Sequence, residues 1–378
     1  MEIVGVDSLQ DLQGKRVLLR ADLNVPLADG GDGERVIADD FRIQATIPTI
    51  EYLVKMGSEV TVCSHLGRPK GNDPAFSMRP VASAINALYP DVVVRENLRF
   101  DPREEANDAG FAAELAFGMD IYVNDAFGAS HRKHASIVGV PRLLPAFGGM
   151  NLAHEVRMLS VLLEEPERPY VAVIGGAKVS DKLGLLRSLI SRVDTVIVGG
   201  GMCFTFLAAM GERIGSSLVE VDLIDICREL LDTGKVVLPT DILGNSATDE
   251  FGARGGAEAA VRFSGGIPEG FRGLDIGPDS LEVFSGIIRG ARSILWNGPM
   301  GVFEDPRFNG GTFGVARAVS ESGAYSVVGG GDSAAAVRMA GLAGAISHLS
   351  TGGGAALEFI ENGDLPGLEA LRMARVPS

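Results

Sequence analysis

The chain has 378 residues, of which 46% are hydrophobic and 22% are charged, a length that exceeds one typical hydrophobic core and predicts two domains. Its formal net charge of −15 argues against sequence-independent binding to nucleic acid and against an anionic membrane surface, because both need an excess of lysine and arginine. No basic amino-terminal region followed by an apolar stretch is present, and no apolar run is long enough to span a membrane, so we expect a cytoplasmic protein.

Short β-branched runs alternate along the chain with segments of helical spacing, a pattern typical of parallel sheets flanked by helices. The runs predicted as strands in the first half are 16–20, 59–63, 91–95 and 120–124. The runs predicted as strands in the second half are 170–176, 194–201, 235–239, 293–299, 325–331 and 346–354. Between the halves, apolar residues at helical spacing predict a helix that ends near residue 165, closed by Pro166 and Pro169.

These elements predict an α/β fold with two Rossmann-like domains, each a parallel sheet flanked by helices. The predicted N-terminal domain spans 1–150, the interdomain helix 151–166 and the C-terminal domain 167–354. Residues 244–274 have little periodicity and many glycines, which predicts an irregular insertion or a hairpin. The three cysteines lack CxxC spacing and lie in apolar segments, so we expect small buried side chains and neither a disulfide framework nor a zinc site.

Polar side chains follow each predicted strand of the first half, where ligands of open parallel sheets bind. In chain order these candidates are Asp22, Asn24, His65, Arg68, Arg99, His131, Arg132 and His134. Arginine matches the oxygens of phosphate and carboxylate, and Asp and Asn orient hydroxyl groups. Together they predict a pocket for a small phosphorylated hydroxy acid, although any one arginine alone could be a solvated surface group.

Two candidates of the first half stay open on spacing alone. Arg42 begins a predicted helix and is equally suited to a ligand or to a salt bridge with Asp39 or Asp40. His65 is equally suited to a ligand role or to a structural one.

Glycine-rich turns and lysines occupy the strand ends of the second half. Lys178 and Lys182 lie four residues apart at a predicted helix start, which places them on one helical face beside N–H groups that can bind an anion. Glycine clusters at 199–201, 329–331 and 352–354 could add a rim of backbone donors, although tight packing or helix capping explains any one of them alone.

Three further residues of the second half have suggestive chemistry. Asp332 could hold Mg²⁺ that bridges phosphate oxygens, with Ser333 contacting phosphate, or could be a plain helix N-cap. Glu304 could accept hydrogen bonds from a ribose, whereas Trp296 is predicted to pack in the core. The sequence contains neither a GxxxxGK[ST] motif nor the protein-kinase motifs, so a different kinase architecture is needed.

Nine segments, in order, resemble the motifs of phosphoglycerate kinases: RADLNVP, DFRI, SHLGRP, ENLRF, NDAFGASHR, GGAKVSDKL, ILWNGPMGVFE, GGGDS and STGGGAALE. They run from residue 20 to residue 358, and the ordered set is far more specific than any single member. The resemblance implies reversible phosphoryl transfer from 1,3-bisphosphoglycerate to ADP, which gives 3-phosphoglycerate and MgATP in glycolysis and gluconeogenesis.

The resemblance also implies roles residue by residue. The acid would be bound by Asp22, Asn24, Arg42, His65, Arg68, Arg99 and Arg132, with Arg42 facing the migrating phosphoryl group. The nucleotide would be bound by Lys178, Lys182, Gly200, Asn297, Pro299, Glu304, Gly330, Gly331, Asp332 and Ser333, with Asp332 as the metal ligand. The catalytic set would be Arg42, Lys182, Gly330 and Gly353.

The same resemblance implies a cleft and a hinge between the domains, in-line transfer after domain closure, Mg²⁺ bound with the nucleotide, and a monomer. It implies that residues 355–378 pack back on the N-terminal domain. The long acidic loop at 28–40 departs from the family pattern but leaves the pocket motifs intact.

Two rival functions can be compared with this one. A dinucleotide-dependent oxidoreductase would leave the arginines unexplained, and the chain lacks a GxGxxG motif. A non-catalytic phosphometabolite-binding protein is disfavoured by the intact Arg42, Lys178, Lys182 and Asp332.

Overall fold

The structure, a computed structural model, describes residues 3–31, 35–253, 256 and 258–374. Its contacts divide the chain into two compact units: the described residues of Met1–Ser160 with those of Gly363–Ser378, and Val161–Asn362. The boundaries predicted at 150, 166 and 354 lie near this division without coinciding with it. Of the predicted segments 28–40, 244–274 and 355–378, residues 32–34, 254, 255, 257 and 375–378 lie outside the described part of the chain.

The first unit is built on a parallel sheet. Its strands are β1 (Arg16–Arg20), β2 (Leu27–Asp29), β3 (Arg35–Ile37), β4 (Glu59–Cys63), β5 (Val93–Val94), β6 (Ile121–Asn124) and β7 (Ala146–Gly148). Its first helices are α1 (Phe41–Lys55), α2 (Arg79–Asn86), α3 (Ala109–Ala116) and α4 (Met150–Glu164). The five parallel strands described here follow the order β5-β4-β1-β6-β7, and β2 and β3 form a separate antiparallel pair.

The second unit combines a parallel sheet with a smaller antiparallel one. Its strands are β8 (Tyr170–Ile174), β9 (Thr195–Val198), β10 (Val236–Val237), β11 (Asp241–Ser246), β12 (Val261–Ser264), β13 (Phe271–Ile276), β14 (Ser293–Asn297), β15 (Tyr325–Gly329) and β16 (His348–Leu349). The described parallel strands follow the order β10-β9-β8-β14-β15-β16, and the antiparallel strands follow the order β12-β11-β13.

Helices follow most of the parallel strands of the second unit. They are α5 (Leu183–Ile190), α6 (Cys203–Ala209), α7 (Ile224–Leu231), α8 (Pro278–Arg289), α9 (Gly310–Glu321), α10 (Gly331–Met339) and α11 (Gly354–Asn362). The last helix, α12 (Pro366–Met373), belongs to the first unit. All residues of β8 and β14 are buried, as expected of parallel strands that have no solvent-facing side.

The predicted alternation of strands and helices is confirmed, with shorter strands at the sheet edges. The edge strands β5, β10 and β16 contain two residues each, which limits the backbone that could pair with another chain. The predicted helix between the halves is α4, which ends at Glu164.

For the segment predicted as an irregular insertion or a hairpin, the structure supports the hairpin alternative, because β11 pairs with β12 in antiparallel fashion, and β13 adds a third strand. Gly244 shows that a glycine of this segment lies within a strand. A Cβ at Gly244 would lie 1.9 Å from the carbonyl oxygen of Arg272, at an irregularity in the pairing of β11 with β13. The glycine permits close strand pairing rather than marking a turn.

Two predictions about side-chain burial are also confirmed. Cys63, Cys203 and Cys227 are buried. Trp296 is fully buried in the core of the second unit, and its Nε1 donates to the carbonyl oxygen of Gly298 at 2.8 Å. In the described part of the chain, no helix is both long enough and apolar enough to cross a membrane.

A buried carboxyl group connects the end of β6 with the start of α4. Oδ1 of Asp125 accepts hydrogen bonds from the backbone N–H groups of Asn151 (2.8 Å) and Leu152 (3.1 Å). The N–H of Met150 donates to Oγ1 of Thr49 at 3.0 Å. Burial raises the pKa of Asp125 to about 7, although these hydrogen bonds oppose the rise. The hydrogen bonds of Asp125 therefore fix the first turn of α4, and the burial of an ionisable carboxyl group is their electrostatic cost.

We expect Asp125→Asn to flatten the pH dependence of stability between about pH 4 and 7. The folded chain keeps a proton on Asp125 that the unfolded chain releases near the ordinary pKa of 3.8. Stability present below that pH is therefore lost as pH rises towards 7. Asparagine keeps an acceptor for Asn151 and Leu152 but cannot ionise, so unfolding measured across this range should show a smaller loss.

Asp275 provides the matched control for this experiment in the second unit. Its carboxylate accepts from the N–H groups of Gly311 and Ile276, and burial raises its pKa to about 7 as well. Asp275→Asn should independently flatten the pH dependence of stability over the same pH range. A pH profile of Asp125→Asn parallel to that of the unchanged protein would contradict the argument.

Candidate functional site

The carboxyl ends of β1, β4 and β6 lie side by side in the first unit. Strand register places Arg20 opposite Cys63 on one side and opposite Asn124 on the other. The loops that follow carry the predicted acid-binding residues. We call the side chains that meet there the basic cluster: Arg20, Arg42, His65, Arg99 and Arg132.

His65 lies within electrostatic range of all four arginines of the basic cluster. Burial, followed by the positive charges of these arginines, lowers the pKa of His65 well below its ordinary value of 6.5. The imidazole is therefore neutral at pH 7. A neutral ring has one N–H donor and one acceptor nitrogen, so its orientation decides what it can bind.

Arg42, near the start of α1, forms an ion pair with Asp22. The distance between Nη1 and Oδ2 is 2.6 Å, and the two side chains are 29% and 4% exposed. The structure thus pairs Arg42 with Asp22 and not with Asp39 or Asp40, the two partners weighed from the sequence. The pair holds the guanidinium in the basic cluster and leaves part of it accessible.

Two residues fix the loop after β4 through the same glycine. Oδ1 of Asn24 accepts the N–H of Gly67 at 2.7 Å, and Nη1 of Arg99 donates to the carbonyl oxygen of Gly67 at 2.7 Å. Arg99 is buried and forms an ion pair with Glu105 at 3.1 Å. Arg68, on that loop, is exposed, but its charge is among those that lower the pKa of Arg99 behind the larger effect of burial.

The loop after β6 contributes a guanidinium that no other described side chain binds. Arg132 is half-buried and forms no hydrogen bond or ion pair through its side chain within the described residues. Nearby His134 is neutral, because burial and the charges of Arg99 and Arg132 lower its pKa to about 4. Arg132 is therefore available to an anionic ligand.

Arg20 is the member of the basic cluster that the sequence analysis missed. It closes the run RVLLR, which predicted a strand, and it is only 1% exposed. A charged residue directly after the apolar run 17–19 was the signal available, since burial of an arginine requires specific partners.

In the second unit, the glycine-rich turns after β8, β9 and β14 pack backbone against backbone. The N–H of Gly176 donates to the carbonyl oxygen of Pro299 at 3.1 Å, and that of Gly200 to Met300 at 2.9 Å. Gly200 has a φ of +66°, and a Cβ there would lie 2.7 to 2.8 Å from backbone atoms of Gly176 and Pro299. At these positions the glycines serve close packing, one of the explanations considered from the sequence.

Beside these turns lies a second group of candidates, which we call the glycine-turn cluster: Lys182, Asn297, Gly330, Asp332 and Ser333. Burial lowers the pKa of Lys182 to about 8, while the carboxylates of Asp332 and Asp181 oppose that shift. Oγ of Ser333 accepts the N–H of Gly298 at 2.6 Å, which ties the start of α10 to the end of β14.

The start of α10 has hydrogen-bond donors without protein partners. Nδ2 of buried Asn297 has no hydrogen-bond partner in the described residues, and it lies 3.0 Å from the Cβ position of Gly330. Gly330 has a φ of +90° and precedes α10, whose first N–H groups at Gly331 and Asp332 have no acceptor among the described residues. Free N–H groups and the helix dipole make such a terminus suitable for phosphate.

The other predicted nucleotide residues are less closely joined to this cluster. Lys178 and Glu304 are exposed, and Gly353 directly precedes α11 with a φ of +53°. In the part of the chain that is described, no hydrogen bond or ion pair connects these three residues with the glycine-turn cluster.

The chain matches the family model described as phosphoglycerate kinase over residues 6–93 and 85–363. Among curated relatives, the phosphoglycerate kinase of Salinispora arenicola is 49% identical over 98% of this chain and 100% of its own. That of Thermus thermophilus is 46% identical over 96% of this chain and 98% of its own.

Solved structures give the same result. Phosphoglycerate kinase from Coxiella burnetii superposes with a TM-score of 0.87 at 36% identity, over 99% of this chain and 100% of that chain. The enzyme from Pyrococcus horikoshii superposes with a TM-score of 0.83 at 30% identity, over 98% of each chain.

We expect Gly200→Ala to lower the free energy of unfolding by roughly 2 kcal/mol or more, because the added methyl group has no room among the interlocked turns. Gly211→Ala is the matched control. Gly211 also has a positive φ, +85°, but a Cβ there would meet no atom within 4 Å. Equal losses in the two variants, measured by denaturant unfolding, would show that close packing of the turns contributes little.

Proposed function

Since this chain belongs to the phosphoglycerate kinase family, whose reaction in glycolysis is reversible phosphoryl transfer between 1,3-bisphosphoglycerate and ADP, we propose that its two strand-end clusters bind the two substrates separately. The basic cluster binds the phosphoglycerate and the glycine-turn cluster binds the nucleotide. Membership in this family of phosphotransferases, which use a carboxyl group as acceptor, also removes the oxidoreductase alternative.

The observation that supports a phosphoglycerate site is the grouping of four arginines around a neutral histidine, in a protein whose net charge is −15. Arg42 and Arg99 are oriented by carboxylates, and the guanidinium of Arg132 has no partner among the residues that the structure describes. Such a set can neutralise a carboxylate and a phosphate without a mobile counter-ion. Asp22 and Asn24 are the acceptors that would orient the hydroxyl group of the acid, as the family resemblance implies.

Support for the nucleotide site comes from hydrogen-bond donors that have no partner in the described part of the chain. Nδ2 of Asn297 and the first N–H groups of α10 lie near Gly330, and the charge of Lys182 lies close to that of Asp332. Phosphate oxygens would satisfy the donors and attract the lysine. We propose that Lys178, Gly200, Pro299, Glu304, Gly331 and Ser333 complete the site, and that Gly330 and Gly353 place helix N-termini at the transferred group.

The donor set fits Mg²⁺ that arrives with the nucleotide. In the described part of the chain, no three His, Cys, Asp or Glu side chains are grouped so as to hold a metal ion by themselves. Mg²⁺ usually binds one or two carboxylates and takes its other ligands from water and substrate phosphates. Exposed Asp332, in the first turn of α10, is the carboxylate that would hold it, and the bound ion would neutralise phosphate charge.

The chemistry needs positioning and charge stabilisation more than it needs a base. The attacking carboxylate and the ADP phosphate have no proton to remove, so the neutral histidines are not required for proton transfer. Arg42 and Lys182 would stabilise negative charge on the equatorial oxygens of the transferred group. Direct in-line transfer requires adjacent substrates, so we expect the two units to close during turnover and exclude water.

The first test is a coupled assay with 3-phosphoglycerate and MgATP that follows formation of the acyl phosphate. We expect turnover in the unchanged protein and a loss of kcat on the order of 10²- to 10³-fold in Lys182→Ala, because a buried charge beside the phosphates is removed. Lys55→Ala, which removes an exposed lysine paired with Glu51, is the control and should retain activity. Absence of turnover in the unchanged protein, with both substrates still bound in calorimetry, would refute the proposed function.

A second test concerns Arg42. If its guanidinium acts on the transferred group, Arg42→Ala should lower kcat and kcat/KM equally, by roughly 10²-fold or more. Arg68→Ala, which removes an exposed charge of the same unit, should act mainly on the KM for 3-phosphoglycerate. An Arg42→Ala effect confined to KM would limit this residue to substrate binding.

A further inference from the structure

Arg20 holds the imidazole of His65 through a guanidinium that is itself fixed on three sides. Nε donates to Oγ of Ser136 at 2.9 Å, and Nη1 donates to the carbonyl oxygen of Ala21. Nη2 lies 3.1 Å from Nδ1 of His65. Each nitrogen of the buried guanidinium therefore has a different partner, and the group has little freedom to rotate.

The charge of Arg20 is balanced through a hydroxyl group and not by direct contact. Oγ of Ser136 accepts from Arg20 and donates to Oε1 of Glu104 at 2.5 Å, while the N–H of Ser136 donates to Oε2 at 2.9 Å. Glu104 is 0% exposed. The three groups form a buried chain with a consistent direction of donation, in which the carboxylate orients Ser136 and Ser136 orients Arg20.

These hydrogen bonds of Arg20 leave only one role for Nδ1 of His65. An arginine has five N–H donors and no acceptor, and it stays protonated in proteins. The contact at 3.1 Å is a hydrogen bond only if Nδ1 is the acceptor, and the surrounding positive charge disfavours a doubly protonated ring. The single proton of the neutral ring must then be on Nε2.

We propose that Arg20 is a positioning residue that fixes His65 as the Nε2–H tautomer, so that the ring presents a donor to the bound acid. Nδ1 and Nε2 lie on opposite sides of the imidazole, and within the described residues Arg20 is the only hydrogen-bond partner of the ring. Nε2 is therefore left for a ligand atom that accepts.

The proposal also limits what His65 can recognise, and this step rests on the proposed function. An Nε2–H donor bonds most strongly to an ionised carboxylate or phosphate oxygen, and it cannot accept the proton of a substrate hydroxyl group. His65 would thus contact a negatively charged group of the phosphoglycerate, and the hydroxyl proton would be left to acceptors such as Asp22 and Asn24.

Nitrogen NMR of the ¹⁵N-labelled protein tests the tautomer directly, since two-bond proton–nitrogen correlations distinguish protonated from bare ring nitrogens. The chain has five histidines, so the spectrum is simple, and His65→Asn identifies the signal of His65. We expect a bare Nδ1 and a protonated Nε2 throughout pH 6 to 8. An Nδ1–H tautomer or an imidazolium in this range would overturn the proposal without any variant.

Arg20→Met tests the cause, because it removes the donors and keeps an unbranched side chain. The ring signals of His65 should move towards averaged tautomers. His154 serves as the internal reference, since its Nδ1 also lies near an arginine, at 2.9 Å, but at an exposed position. Ser136→Ala removes the Nε partner of Arg20 and the hydroxyl donor to Oε1 of Glu104, but it keeps the contact between Nη2 and Nδ1 of His65, so the Nε2–H tautomer should stay in place. An unchanged tautomer in folded Arg20→Met would overturn the role of Arg20.

Steady-state kinetics distinguish the positioning role of Arg20 from a general disturbance of the structure. Arg20→Met should raise the KM for 3-phosphoglycerate roughly tenfold, the usual effect of a weakened hydrogen bond to a charged group, and leave the KM for MgATP unchanged. Equal changes in both constants would indicate structural damage and contradict a positioning role. If the unchanged protein lacks turnover, the proposed function fails, while the NMR result still decides the tautomer.

Discussion

The register of the parallel strands decides which side chains can meet in this fold. In the first sheet, Arg20 ends β1 opposite the last residues of β4 and β6. In the second sheet, Asn297 ends β14 opposite Ile174 of β8 and Gly329 of β15. Side chains alternate between the faces of a strand, so a shift of β1 by one residue would replace Arg20 with an apolar side chain beside His65. Both candidate sites depend on this alignment.

Carboxylates balance the charges of several arginines of the basic cluster and keep them oriented. Glu104 acts on Arg20 through Ser136, and Asp22 acts directly on Arg42. Each unbalanced buried charge would be costly, since burial removes solvation that only hydrogen bonds or opposite charge can replace. His65 avoids that cost by staying neutral. Half-buried Arg132, which has no side-chain partner within the described ranges, is left to present its charge to an anion.

Much of the fold could be predicted from the sequence, because continuous apolar runs ending in polar or glycine residues are the signature of buried parallel strands. The central strands β1, β4 and β14 lie where the runs predicted them. The antiparallel sheet of β11–β13 was predicted only as an irregular insertion or a hairpin, since Gly244 serves strand pairing and the apolar pattern of the segment is weak. The acid-site candidates that follow the strands were predicted from their position, whereas Arg20 is the last residue of β1 and was counted as part of a strand, and the partners that define its role are shown only by the structure.

The glycine clusters show why composition alone could not separate packing from ligand binding. A positive φ, a close backbone contact and an exposed row of N–H groups all favour glycine. The structure separates these roles, because Gly176 and Gly200 use their N–H groups on Pro299 and Met300. At α10 the corresponding N–H groups have no acceptor among the described residues. Phosphate binding would therefore depend on α10 and on Lys182, while the interlocked turns keep β8, β9 and β14 close enough to hold both in place.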